Sequence, residues 1–299
     1  MRKPVRPEWP TLILLAICYG VWVVATTNLA EWSLAAAIIM VAIASALHAS
    51  LTHEIVHGHP FPGREKLNLA LVGVPLVATV PVLRFLDTHL AHHNDAVLTD
   101  PYDDPESNYL DPKVWAGLPR AAQAILKFNN TLTGRLLVGP VLGHVAFMSS
   151  DWRAARAGDR RVILGWVLHI PALGVLWLWL TEISSMPIWA YIIAVYGAMS
   201  ILKIRTFLEH QAHERASGRT VIIEDRGPLA FMFLNNNLHV VHHMHPKVPW
   251  YKLPALYAAH RVHYQRRNGG YVFRSYGEVF RRYLVSRKDP VAHPFRPAG

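Results

Sequence analysis

The chain has 299 residues, of which 52% are hydrophobic and only 17% charged, where a soluble domain runs near ~25% charged. Its 30 Lys and Arg against 20 Asp and Glu give a formal net charge of +10, and its 18 histidines nearly equal all the acidic residues together. The single cysteine, Cys18, excludes an internal disulfide framework and any Cys-based zinc ribbon or iron–sulfur site, so metal chemistry here has to use imidazole and oxygen.

After Arg2, Lys3 and Arg6 no Lys or Arg occurs before His53. The interval holds two apolar runs, 11–30 and 32–52, parted by Glu31. Each is long enough to cross a hydrocarbon core of roughly 30 Å at ~1.5 Å per residue. The first run is long, has no small-x-small cleavage site followed by polar sequence, and leads straight into the second, which argues against a cleaved leader. Two shorter apolar stretches follow, 67–83 and 132–148. They are interrupted by Gly73, Pro75 and Pro81 in one and by Gly134, Gly139, Pro140 and Gly143 in the other. A second window without Lys or Arg, from Val162 to Leu202, contains two further runs, 162–181 and 187–204, broken at Thr181 to Pro187.

Both hairpin tips, near Glu31 and near Glu182, carry acidic charge and no basic charge. The positive-inside rule therefore places every Lys and Arg, both termini and the polar segments on the cytoplasmic side. The excess positive charge then forms a cytoplasmic face suited to anionic lipid or an acidic protein. No nucleic-acid module or compact basic stripe is present, and nucleic acid is not expected as a partner.

Three histidine groups carry the chemistry. His53-Glu54-Ile55-Val56-His57 ends the second run, with imidazoles four residues apart on one helix face. His89-Leu90-Ala91-His92-His93 and His239-Val240-Val241-His242-His243 repeat an HxxHH spacing, which presents three imidazoles to one side of a helix. Taken alone the first group is the HExxH of a zinc protease, but that reading leaves both HxxHH blocks idle. Eight imidazoles exceed what one tetrahedral zinc uses, so two metal ions are expected. For the groups to meet they must lie on one side of the membrane, so 67–83 and 132–148 cannot cross. The expected architecture is an all-α integral membrane protein, a single domain over 1–299 with four transmembrane helices in two hairpins. Interfacial or re-entrant helices and a cytoplasmic cap, 53–161 and 205–299, would hold a histidine-rich dimetal site.

These boxes, in this order around two hairpins, resemble the membrane fatty acid desaturase superfamily, with its related hydroxylases and carotenoid ketolases. The resemblance runs from about His48 to Pro254. It includes the segments Asp100-Pro101-Tyr102-Asp103-Asp104-Pro105-Glu106-Ser107 and Asn236-Asn237-Leu238. It implies two iron ions that activate O2 at an unactivated C–H bond of a fatty acyl or other lipid chain. It also implies the ligands His53, His57, His89, His92, His93, His239, His242 and His243, with His210 after the last hairpin as a ninth and His213 as its rival. Stearoyl-type desaturases carry an Asn four residues before that extra histidine; here Thr206 stands there. Asp87, Asp95, Asp100 and Glu209 are candidates to orient the imidazoles. Desaturation is the expected outcome, with oxygen insertion by a hydroxylase or ketolase as the alternative.

His59 and His245 fall off the ligand spacing and are left out, His48 is expected to be a hydrogen-bonded interior histidine, and His144, His169, His260, His263 and His293 are assigned no role. Electrons would come from an external ferredoxin, rubredoxin or cytochrome. The basic tail from Arg261 to Lys288, with Arg266-Arg267 and Arg281-Arg282, offers it a dock, unless its aromatic stripe lays it on the membrane surface. The expected location is the bacterial inner membrane or its equivalent.

Overall fold

A computed structural model describes residues 7–296, and the basic Arg2, Lys3 and Arg6 lie outside them. The described chain is mostly helical and falls into two compact units. One is built from the residues up to Leu86 together with Leu142–Leu202, the other from Asp87–Val141 and from Lys203 onward.

The first unit contains the apolar helices. As the sequence predicts, four helices are long and apolar enough to cross a membrane: Trp9–Trp32, Leu34–Val56, Arg160–Ile183 and Ile188–Phe207, of 24, 23, 24 and 20 residues. At ~1.5 Å per residue each spans about 30 Å or more. Their starts are set by local chemistry. The Ser33 side chain accepts from the Ala36 N–H, and Asp159 accepts from Arg161 and Val162, which satisfies N–H groups that the first turn leaves without partners.

The hairpins meet at their tips. The Thr26 carbonyl accepts from the Ser185 and Met186 N–H groups, and Ser185 donates to Glu31 at 2.8 Å. Between them the helices close on small residues: Ala190 and Ala194 are fully buried in one cluster with Trp22 and Tyr191, and Ala37 and Ala198 are fully buried as well. A side chain added at Gly197 would meet Ala42 Cβ at 3.2 Å, so close backbone approach holds these helices together. His48 is an interior histidine that shares a 2.9 Å hydrogen bond with the Tyr19 hydroxyl.

Neither short apolar stretch forms a span. The first becomes the seven-residue helix Glu65–Leu71, a bend through Gly73 and Pro75, and the helix Val82–His92. The second becomes Leu132–Leu137 and Gly139–Arg156. The latter exposes Val145, Met148 and Trp152 along one side, the pattern of a helix lying in a membrane interface.

The second unit has short helices joined by long loops. A parallel pair of two-residue strands, Ile222–Ile223 with Val272–Phe273, ties its middle to its end. Around that pair Leu238, Val240, Val241, Leu253 and Tyr264 form a buried cluster. The C-terminal helix Tyr276–Tyr283 turns Tyr276 and Val279 into this unit, both at most 2% exposed. Phe273 and Tyr276 of the expected aromatic stripe therefore serve as protein core, while Leu284 stays exposed.

Candidate metal centre

In the first unit His53 lies in the last turn of the helix Leu34–Val56 and His57 caps it, with the rings 5.1 Å apart, edge to face. The remaining box histidines belong to the second unit. His89 and His92 end the helix Val82–His92, with His93 in the turn that follows. His239, His242 and His243 occupy a six-residue helix, His239–Met244, too short to persist alone.

That short helix is fixed by the turn before it, in which Leu234 and Asn235 adopt left-handed backbone conformations. Asn237 Nδ2 donates to the Ile223 and Asp225 carbonyls, the Ile223 N–H donates back to the Asn237 carbonyl, and the Val240 N–H donates to Val221. The third box is thereby bonded to the small sheet.

Seven imidazoles of the second unit gather in two groups, His89 with His93 and His242, and His92 with His210, His239 and His243. In each group the ligand nitrogens all lie within 4.8 Å of one another. Their outer nitrogens meet defined acceptors. His92 Nδ1 is 2.7 Å from Asp104 Oδ1, His89 Nδ1 is 3.1 Å from Glu106 Oε1, His243 Nδ1 is 3.2 Å from Asp95 Oδ1, and His239 Nδ1 is 3.2 Å from Asn236 Oδ1.

A carboxylate or amide oxygen can only accept, so each of these Nδ1 atoms carries the proton and, in a neutral ring, the lone pair sits on Nε2. The Nε2 atoms point at one another. The separations are 2.8 Å for His92 to His210, 3.0 Å for His239 to His210, and 3.1 Å for His93 to both His89 and His242. Every one of these contacts includes His210 or His93, and at that distance it is either an N–H···N hydrogen bond from that ring or a pair of ligand lone pairs with a cation between them. Metal–nitrogen bonds of about 2.1 Å at angles of 90–109° leave neighbouring nitrogens about 3.0–3.4 Å apart. His243 Nε2 is buried with no hydrogen-bond partner, as expected of a ligand atom. The donor set fits metal ions that imidazole favours, iron among them.

The electrostatics agree. Burial, then the charges of His92 and His243, holds the His210 imidazole well below its ordinary range, and burial followed by His243 does the same to His239. These rings stay neutral and available. Burial alone would lower His92 as well, but Glu106 and the hydrogen bond to Asp104 carry it up to about 9. Burial would raise the Glu106 carboxyl, yet His92 and His89 hold it far below the usual carboxylate range. The bond from His243, against the smaller effect of burial, keeps Asp95 ionised to lower pH. The carboxylates thus supply negative charge around the imidazoles, and Glu106, besides its contact with His89 Nδ1, brings Oε2 to 3.9 Å from the inner Nε2 of His92.

Asp95 touches His243, as above. Glu209 accepts from Arg205 and Asn236 and lies 3.9 Å from His239 Nδ1, so it acts on that ring largely through Asn236. Asp100 instead caps the Tyr102 and Asp103 N–H groups and pairs with Arg296 at 2.7 Å, which turns it toward the C-terminal segment. Asp87 lies two residues before His89 on the same helix. His213 stands outside both groups, bonded to the backbone of Arg215 and packed on Gly218. Thr206 Oγ1 is buried without a hydrogen-bond partner. His59 belongs to a separate buried cluster with Glu8 and Glu54.

Sequence reasoning did not single out Asp104, Glu106 and Asn236. All three lie in the two segments that carry the resemblance, and the repeated acidic residues of 100–106 were the available signal.

Residues 30–275 match the fatty acid desaturase family. Two curated relatives are beta-carotene ketolases of Paracoccus. The one from strain N81106 / MBIC 01143 is 26% identical over 212 residues, covering 69% of this chain and 71% of the relative. The one from strain PC1 is 26% identical over 211 residues, covering 68% and 71%. With the family match running through all three histidine boxes and the last three of the four long apolar helices, this chain belongs to the fatty acid desaturase family.

Proposed function

We propose that the chain is an integral membrane oxidoreductase that uses two iron ions and O2 to desaturate the aliphatic chain of a membrane lipid or fatty acyl compound. The observation that carries this reading is the convergence of Nε2 atoms in two adjacent groups whose outer nitrogens are held by Asp104, Glu106, Asp95 and Asn236. His89, His93 and His242 would hold one ion and His92, His210, His239 and His243 the other. His53 and His57, which share a helix end and lie within ligand reach of each other, would supply two further bonds.

When bound, the ions supply the one-electron chemistry with O2 that an unactivated C–H bond requires. The overall balance takes two hydrogens from the substrate and two electrons and two protons from outside, and reduces O2 to two waters. The chain's own residues keep His210 and His239 neutral, set the tautomers of the rings held at Nδ1 and hold the site closed: His89, His92, His239 and His242 are at most 3% exposed. No sulfur ligand is at hand, since Cys18, the one cysteine of the sequence, lies in the first apolar helix.

The electrons would come from an acidic ferredoxin, rubredoxin or cytochrome docked on the basic face that includes Arg266, Arg281 and Arg282. The absence of basic residues from both hairpin tips supports a cytoplasmic site. A second reading, insertion of oxygen into a lipid or hydrocarbon, is favoured by the ketolase names of the two relatives. A zinc protease would use only His53, Glu54 and His57 and leave seven convergent imidazoles without a task.

Expression in a host of defined lipid composition, followed by mass spectrometry of total lipids, separates these readings. Loss of two hydrogens identifies a desaturase, gain of oxygen identifies the second reading, and unchanged lipids under aerobic, reductase-supplied conditions refute both.

A further inference from the structure

His210 differs from the other three ligands of its group. The Nδ1 atoms of His92, His239 and His243 each have a side-chain acceptor, whereas His210 Nδ1 is buried and has no hydrogen-bond partner. A ligand imidazole is ordinarily aimed by what its second nitrogen donates to. His210 must be aimed by its backbone instead.

One side of that backbone is held by strand-like pairing. His210 bridges Thr220, the Gln211 N–H donates to Arg219 at 3.0 Å, and the Val221 N–H donates to Glu209 at 3.1 Å. The other side is held by side chains distant in sequence. Lys288 Nζ donates to the His210 carbonyl itself. The Tyr109 hydroxyl accepts from the Ala212 N–H at 2.8 Å and donates to Asp289 Oδ2 at 2.5 Å, and that same oxygen lies 3.3 Å from Lys288 Nζ.

This set is anchored in turn. The Lys288 N–H donates to the Asn130 carbonyl at 2.9 Å, and Asn130 Nδ2 donates to the Asp289 carbonyl at 2.6 Å. The Lys288 side chain is 9% exposed. Placing an ammonium there requires hydrogen-bonding partners that justify its desolvation, and those partners are the ligand's own carbonyl and Asp289.

Resting on the metal reading above, we propose that Lys288, Asp289 and Tyr109 form a positioning brace that sets His210 as a ligand of the four-histidine ion, so that the C-terminal segment completes this subsite. The brace touches neither ion nor substrate and acts through the His210 backbone. Its loss should empty or distort one subsite and leave the other as it was.

The test uses the full chain, purified in detergent and loaded with ⁵⁷Fe, as wild type, Lys288→Met, Lys288→Arg and Tyr109→Phe. Iron per chain, Mössbauer spectra and metal-free melting temperature are read alongside turnover. In Lys288→Met the affinity of one subsite should fall about 10–100-fold, one of the two iron signals should broaden or vanish, and kcat should drop with KM unchanged. Lys288→Arg, which keeps a donor, should restore most of the iron signal. Tyr109→Phe, which removes only the Ala212 acceptor and the Asp289 donor, should show a smaller change of the same kind, and it carries the test if Lys288→Met does not fold. Two full irons with unchanged spectra in both Lys288→Met and Tyr109→Phe would overturn the brace. So would equal loss of both iron signals in Lys288→Met and Lys288→Arg together with a lowered metal-free melting temperature. A wild type that takes up no iron would refute the metal reading itself.

Discussion

Asp104 gives the sharpest single perturbation of the site. Its carboxylate is 4% exposed and accepts three hydrogen bonds, from His92 Nδ1 at 2.7 Å, from the Thr99 N–H at 2.8 Å and from the Glu106 N–H at 2.9 Å. It therefore fixes the His92 ring and also folds the 99–106 turn that brings Glu106 to His89. A charge-assisted bond contributes about 1.5–3 kcal/mol, and each buried N–H left without its acceptor costs about 1–3 kcal/mol. Asp104→Ala, which abolishes all three, should then destabilise the metal-free protein by about 4 kcal/mol or more.

Asp104→Asn keeps one oxygen acceptor at similar volume but removes the charge behind His92. Metal affinity should fall about 10–100-fold, equivalent to about 1.4–2.7 kcal/mol, while the fold is retained. The assay is competition of purified protein against a chelator of known affinity, paired with thermal melting of the metal-free form. Wild-type metal affinity in Asp104→Asn would refute the argument that this carboxylate sets the tautomer and basicity of His92.

Three further predictions follow from other residues. His92→Ala or His242→Ala should abolish turnover and lower iron content while leaving membrane insertion intact, measured by metal analysis of the extracted membrane fraction; full activity in either removes that residue from the ligand set. Reversing charge with Arg281→Glu and Arg282→Glu should slow reductase-coupled turnover at low salt, and the difference should shrink as salt rises, because exposed charges are screened within about 10 Å at 0.1 M; unchanged turnover at low salt would dismiss the docking face. Glu224 is held below its ordinary value of 4.5 by its bond from Arg261, with burial opposing and Tyr257 assisting. A depressed folded-state pKa gives stability that is complete above pH 4.5 and is lost as pH falls through the folded value. Melting of wild type and Glu224→Gln should therefore differ above pH 4.5 and converge in more acidic buffer.

How far the sequence discloses this molecule depends on periodicity. The four long helices are legible because a hydrocarbon core demands long runs without charge, and the windows free of Lys and Arg mark where those runs lie. The HxxHH blocks are legible because helical spacing places their rings on one face. The partners of those rings are not, since Asp104 and Glu106 sit in an irregular turn where Thr99 takes a left-handed conformation and no repeat says which carboxylate points inward. Asp100, in the same acidic segment, turns to Arg296 instead. Asn236 was hidden among three consecutive asparagines whose separate tasks only the fold distinguishes. The orientation of the Tyr276–Tyr283 helix was open for a related reason: an aromatic stripe reads the same whether it covers protein or lipid, and Tyr276 proves to cover protein.

The central claim is that the convergent imidazoles hold two iron ions. Its most direct test is elemental analysis with Mössbauer spectroscopy of the full-length protein, purified from cells grown with ⁵⁷Fe and without added chelator. The account predicts about two irons per chain, in two nitrogen-rich sites, both lost in His242→Ala combined with His92→Ala. One zinc per chain with no iron would contradict it.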